Sequence, residues 1–208
     1  MVEVPPLIFL DVDGVLNSVD YLTRRGKALY ENRYDHYLSD FDPEACAVLA
    51  TVCEKSGASL VISSTWRVLH PLEEIRGYLL FRGVTAPVIG KTPDMDLHNN
   101  PGLSAVRSRW ERGLEIQHWL QTFVPPDRLP GVRVCVLDDD GDMGDVRGAW
   151  VKIDNQRGLR EDHLPTILDH LGRTLADSRA AGGPGRVSWT YVIDPDWVHR
   201  AGSLTTPW

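Results

Sequence analysis

Cysteine is scarce in this sequence: among 208 residues only Cys46, Cys53 and Cys135 occur, and no two of them form a Cys-x-x-Cys pair. An odd count without such spacing argues against a disulfide framework and places the chain in a reducing cytoplasm. Cys46 and Cys53 lie seven apart on a predicted helix and Cys135 sits inside an apolar strand, so all three read as packing residues. Long apolar runs are also missing. Nothing approaches the roughly 20 residues needed to span a bilayer. The amino terminus has neither the basic start nor the cleavage site of a signal peptide. No membrane partner is expected. Positive charge is in deficit, with 22 Lys and Arg against 29 Asp and Glu and a formal net charge of -7. That balance excludes an extended basic surface and tight non-specific binding to nucleic acid, leaving room only for a local basic groove. There is no internal repeat.

What the sequence has is one domain's worth of core, with 42% hydrophobic residues, punctuated by acids at telling places. Leu7-Ile8-Phe9-Leu10 runs straight into Asp11-Val12-Asp13-Gly14. A continuous apolar run ending at a glycine reads as a strand buried on both faces of a parallel sheet, and its carboxyl end is where open α/β folds bind ligands. Two carboxylates this close repel each other unless a cation or shared proton offsets the charge, and oxygen ligands favour Mg²⁺ over zinc. Taken alone, the same tetrapeptide also describes a solvated acidic turn. Later strand ends decide between the two.

Residues 18–41 carry arginines and tyrosines without a clean period, which predicts a loop or small cap over the sheet edge, with Asn17 and Arg24 as candidate substrate contacts. Asp42-Pro43-Glu44 opens a helix that Gly57 closes, with Ala45, Val48, Leu49, Val52 and Cys53 inward. Ser59–Ile62 is a second buried strand ending in Ser63-Ser64-Thr65-Trp66-Arg67. A hydroxyl and adjacent amides there suit a phosphoryl oxygen, and the same run suits a helix cap. Arg67 is placed to reach that phosphate or to pair with an acid on the next helix. Residues 71–81 predict a short helix with Leu72, Ile75, Leu79 and Leu80 inward. Residues 86–89 are a brief strand, and residues 90–109 an exposed loop containing His98, a surface histidine on this reading. Arg112 begins the next helix, where a cation is unfavourable for the helix dipole and so invites a functional reason. Val132 to Leu137 is the strongest later strand, and it runs into Asp138-Asp139-Asp140-Gly141-Asp142. Four acids in five positions after a buried strand need a cation, and complete a site with Asp11 and Asp13. Residues 149–153 and a helix stopped by Gly172 finish the core. The Gly-rich stretch 180–185 reads as a linker to a weak edge strand over 187–193.

The series Asp11-x-Asp13-Gly14, Ser63, Arg112 and Asp138-Asp139, carried by "FLDVDGVLNS", "VISSTWR", "RGLEIQHWL" and "VLDDD", resembles the haloacid dehalogenase-like (HAD) phosphohydrolases. Its nearest likeness is to small HAD domains of nucleic-acid end repair. The resemblance implies an α/β, Rossmann-like three-layer sandwich with a mainly parallel sheet and a small cap insert after the first strand. Residues 1–172 would form the core and 173–208 an extension. It further implies a Mg²⁺-dependent phosphomonoesterase with Asp11 as nucleophile and Asp13 as acid and base. Ser63 or Ser64 would bind the phosphoryl group, and Arg112, or Arg107 or Arg109 in its stead, would replace the usual lysine. Asp138 or Asp139, or Asp142, would join Asp11 and Asp13 at the metal. The implied substrate is a phosphorylated small molecule, a nucleotide or a nucleic-acid end. An inactive ligand-binding module and a phosphotransferase are the competing functions.

Overall fold

The computed structural model describes residues 4–26, 33–94, 111–141 and 143–182, and in it the apolar runs become strands of one sheet. They are β1 (Leu7–Leu10), β2 (Ser59–Ile62), β3 (Val88–Lys91), β4 (Val134–Asp138) and β5 (Trp150–Lys152), in the order β3-β2-β1-β4-β5. Every neighbouring pair is parallel. Because β1 is central, Leu10 pairs with Ile62 on one side and Leu137 on the other. Asp11, Ser63 and Asp138 therefore emerge side by side at the carboxyl edge.

The helices are α1 (Val19–Arg25), α2 (Arg33–Asp40), α3 (Pro43–Ser56), α4 (Trp66–Leu69), α5 (Leu72–Phe81), α6 (Glu111–Phe123), α7 (Leu164–Gly172) and α8 (Leu175–Gly182). Strand side chains alternate between two cores, as a period of two requires. Ile8, Leu10, Leu60, Ile62, Cys135 and Leu137 pack under α3, α5 and α7. Leu7, Phe9, Val61, Val134 and Val136 pack under α6 and Leu175 of α8. The result is the expected α/β three-layer sandwich, with strands buried on both faces.

Local signals account for much of the helical layer. The Asp42 carboxylate accepts from the Glu44 N–H at the start of α3, and Gly57 ends it. Cys46, Cys53 and Cys135 are buried and unpaired, and burial pushes the Cys46 and Cys53 thiols up to about 12. They are inert packing groups.

Four expectations need correction. Residues 18–41 were expected as a loop or small cap without a clean period; their described parts, 18–26 and 33–41, are largely helical and form α1 and α2. On α5 Leu80 is 62% exposed and Tyr78 is buried in its place, because Ile75, Tyr78 and Leu79 share the inward stripe. β3 extends to Lys91, past the point where residues 90–109 were expected to become loop. The compact unit also runs beyond residue 172, since Leu175 is fully buried and α8 packs on the 3-10 turn Gly144–Ala149. Arg107, Arg109 and His98, the strand expected over 187–193, and Asp142 lie outside the described residues. No helix among the described residues is long and apolar enough to cross a membrane.

Candidate active site

Asp11 is the first residue after β1, and its N–H donates to Leu137 O, which fixes the chain against β4. Its carboxylate accepts from the Val12 N–H at 2.8 Å and from the Ser64 hydroxyl. The chain then turns at Gly14, which has φ 74°, and Asn17 Oδ1 closes the turn by accepting from the Gly14 N–H at 2.9 Å. A Cβ on Gly14 would lie 2.5 Å from Asp139 Cγ, so only glycine lets Asp139 approach.

That approach completes a cluster. Asp11, Asp138 and Asp139 each offer a carboxylate oxygen, all within 4.8 Å of one another. Arg112, at the start of α6, stands beside it with Nε 3.0 Å from Asp138 Oδ2 and Nη2 3.8 Å from Asp11 Oδ2. Burial raises the Asp11 carboxyl to about 6, against the opposing pull of Arg112, the Ser64 hydroxyl and the Val12 N–H. Burial and the Asp11 charge raise Asp138 to about 8. Burial alone would weaken the Arg112 charge, but Asp11, Asp138 and Glu115 around it hold its proton more firmly than usual.

Asp13 belongs to a different environment. Its side chain was expected among the metal ligands, yet it lies outside the three-carboxylate cluster because neutral donors hold it elsewhere. Asn17 Nδ2 donates to Oδ1 at 2.7 Å, Trp66 Nε1 donates to the same oxygen at 2.9 Å, and the Thr65 hydroxyl donates to Oδ2 at 3.2 Å.

With this geometry in place, comparison with known proteins is decisive on one point. The family model for the HAD domain in Swiss Army Knife RNA repair proteins matches residues 7–164. The chain belongs to that family. The match spans all five strands of the HAD domain and every described residue of the site. No curated protein and no solved structure matches the chain. Membership places it among HAD-type phosphohydrolases.

In this HAD domain the site's charge is countered by a second layer that the sequence did not announce. Arg67, expected at phosphate or on an acid of the next helix, pairs instead with an acid of α6, beyond α5: its Nη2 meets Glu115 Oε1 at 2.5 Å, and both groups are buried. Arg67 also donates to Ser64 O and Pro93 O. The other Glu115 oxygen is 3.9 Å from Arg112 Nη1, so Glu115 bridges the two arginines. Arg24 is exposed, in a cleft of about 390 Å³ lined also by Asp20, Thr23, Glu44, Arg157 and Arg160, none of which belongs to the carboxylate cluster. Asn17 supports Asp13 and the Gly14 turn rather than facing outward. Thr65, Trp66, Glu115 and Asn155, whose side chain hydrogen-bonds Asp139, were not singled out from sequence. Only Glu115 carried a readable signal, its i+3 spacing from Arg112 on one helix.

The residues present suit a hard divalent cation. Three carboxylates converge, and Asp138 Oδ2 is buried without a hydrogen-bond partner among the described residues although Arg112 neighbours it. Raised proton affinity at Asp11 and Asp138 comes first from burial, joined at Asp138 by the Asp11 charge, and Arg112 only partly opposes it. Ser63 Oγ and Arg112 Nη1 are likewise buried and lack hydrogen-bond partners, which leaves donors available to a tetrahedral anion.

Proposed function

We propose that this HAD domain is a Mg²⁺-dependent phosphomonoesterase that works through an aspartyl-phosphate on Asp11 and acts on a nucleotide or a nucleic-acid terminal phosphate. The observation that carries the proposal is the split between two aspartates two residues apart: Asp11 sits among carboxylates and Arg112, while Asp13 is exposed and held by neutral donors. One carboxylate is placed to attack phosphorus and the other to move a proton. The family's association with RNA repair supports a nucleic-acid end as substrate. The three buried free cysteines suit the reducing cytoplasm proposed for it.

In the first half-reaction an Asp11 oxygen bonds to phosphorus as the bond from phosphorus to the leaving oxygen breaks, and Asp13 supplies the proton that oxygen needs. In the second half-reaction water attacks the same phosphorus, Asp13 takes its proton, and Asp11 is released with inorganic phosphate. Arg112 and the Ser63 hydroxyl hold phosphoryl oxygens throughout, since charge-assisted and hydroxyl donors strengthen as negative charge develops, while the Ser64 hydroxyl stays on the Asp11 carboxylate. Asp11, Asp138 and Asp139 would hold Mg²⁺, which supplies charge neutralisation at the phosphoryl group when bound. Glu115 keeps Arg112 turned toward Asp11 and Asp138.

The test is phosphate release from 3′- and 5′-phosphorylated oligonucleotides, nucleotides and phosphosugars, with Mg²⁺ and with chelator. Release that needs Mg²⁺ and disappears in Asp11→Asn is the expected outcome. Turnover unchanged by Asp11→Asn would end the proposal.

A further inference from the structure

The partners of Asp13 are more selective than an acid and base group requires. Oδ1 receives two donors, the Asn17 amide at 2.7 Å and the Trp66 indole at 2.9 Å. The amide orientation is set from the other side, because Asn17 Oδ1 accepts from the Gly14 N–H. An amide NH₂ and an indole N–H donate and cannot accept, so Oδ1 is committed to accepting. Among the described residues Oδ2 meets only the Thr65 hydroxyl, which can rotate to donate or accept.

The indole itself has no freedom to move. Trp66 is 94% buried, stacks on His70 at 4.9 Å and 23°, and takes edge contacts from Tyr37 at 5.6 Å and Phe41 at 5.1 Å. His70 is in turn held by Glu74 at 3.0 Å. Tyr37 lies on α2 and Phe41 directly follows it, so the insert after β1 supplies two walls of the clamp.

We infer that Trp66 is a positioning residue: its indole N–H, fixed by the aromatic cluster, locks the Asp13 rotamer so that Oδ2 faces the leaving group and exchanges the proton. The inference rests on the phosphomonoesterase reading above, and adds to it a residue that touches neither phosphate nor cation.

Trp66→Phe keeps the ring and its packing while removing the N–H. The measurement is kcat/KM, which reports the steps through departure of the leaving group, on an alkyl phosphate and on p-nitrophenyl phosphate. The alkyl leaving group needs a proton and the nitrophenolate does not. The expected result is a loss of about tenfold on the alkyl phosphate and less than about twofold on the aryl one, with KM unchanged. Equal losses on both substrates, or none on either, would overturn the inference and leave the phosphomonoesterase reading intact. A second measurement needs no turnover. Proton–nitrogen NMR of the full chain resolves indoles from seven tryptophans, and the resonance absent in Trp66→Phe is that of Trp66. It should move upfield in Asp13→Ala, and a resonance that stays in place would overturn the inference even if the enzyme is active. Wild-type protein without any turnover would remove the reading and the inference together.

Discussion

Asp11 and Asp13 leave the same strand two residues apart, yet one faces a buried field of charge and the other a wall of neutral donors. Around Asp11, besides the Ser64 hydroxyl and the Val12 N–H, stand the charged groups of Asp138, Asp139, Arg112 and, behind them, the Arg67–Glu115 pair. Around Asp13 stand an amide, a hydroxyl and an indole. The contrast shows two chemically identical side chains given different surroundings, and the proposed mechanism assigns them separate tasks on that basis. A carboxylate crowded by like charge asks for a cation, whereas one held by neutral donors at the surface can gain and lose a proton as substrate passes.

The sharpest way to break the comparison is to neutralise each aspartate in turn. Asp11→Asn should reduce turnover by roughly 10⁴-fold or more, because no nucleophile remains, and single-turnover assays with labelled phosphate should find no phospho-enzyme. Asp13→Asn should cost less, about 10²- to 10⁴-fold in turnover, with KM nearly unchanged. If the two variants lose turnover and phospho-enzyme alike, the division of roles is wrong. Next in size is the charged layer behind Asp11. Glu115→Ala leaves Arg67 buried without its carboxylate and should lower stability by about 3–5 kcal/mol in urea titration, whereas removing a neutral donor on the Asp13 side should cost about 1 kcal/mol. Gly14→Ala is expected to cost about 1–2 kcal/mol from its left-handed backbone alone, and to weaken Mg²⁺ binding because Asp139 must retreat from a Cβ that would lie 2.5 Å from it. Calorimetry with Mg²⁺ measures that second effect.

A last test concerns pH. The folded protein holds the Asp11 and Asp138 protons to about 6 and about 8, above the ordinary carboxylate value, so between about pH 4 and pH 8 it binds more protons than the unfolded chain. Stability from these groups is fully present below the unfolded value and is lost as pH rises through the folded ones. Metal-free protein should therefore melt at progressively lower temperature across that range, and Mg²⁺ should stabilise it more at pH 8 than at pH 5. A melting temperature that rises through the same window would contradict the burial described for Asp11 and Asp138.

Much of this site was legible before folding. Leu7–Leu10 and Ser59–Ile62 are strands with the boundaries their apolar runs suggested, and Asp11, Ser63 and Asp138 reach one edge because buried parallel strands in register end together. Other features were not legible. The choice between Ser63 and Ser64 for a phosphoryl group depends on which way each hydroxyl turns: Ser64 bonds the Asp11 carboxylate, while Ser63 Oγ has no hydrogen-bond partner among the described residues. The helices inside residues 18–41 were hidden because short segments draw their stability from packing more than from their own periodicity. Trp66 carried no chemical signal of its own within the hydroxyl-rich run after β2, and its contact with Asp13 appears only when α4 starts beside the end of β1.

The sequence by itself determined the order of elements and the acids at two strand ends, because local hydrophobic period and turn chemistry act over a few residues at a time. Tertiary structure alone decided that Asp139 joins Asp11 while Asp13 turns to Trp66, and that Arg67 serves Glu115 rather than phosphate. Those choices depend on burial and on distances between strands far apart in the chain, where the cost of an unpaired charge sets which groups must meet.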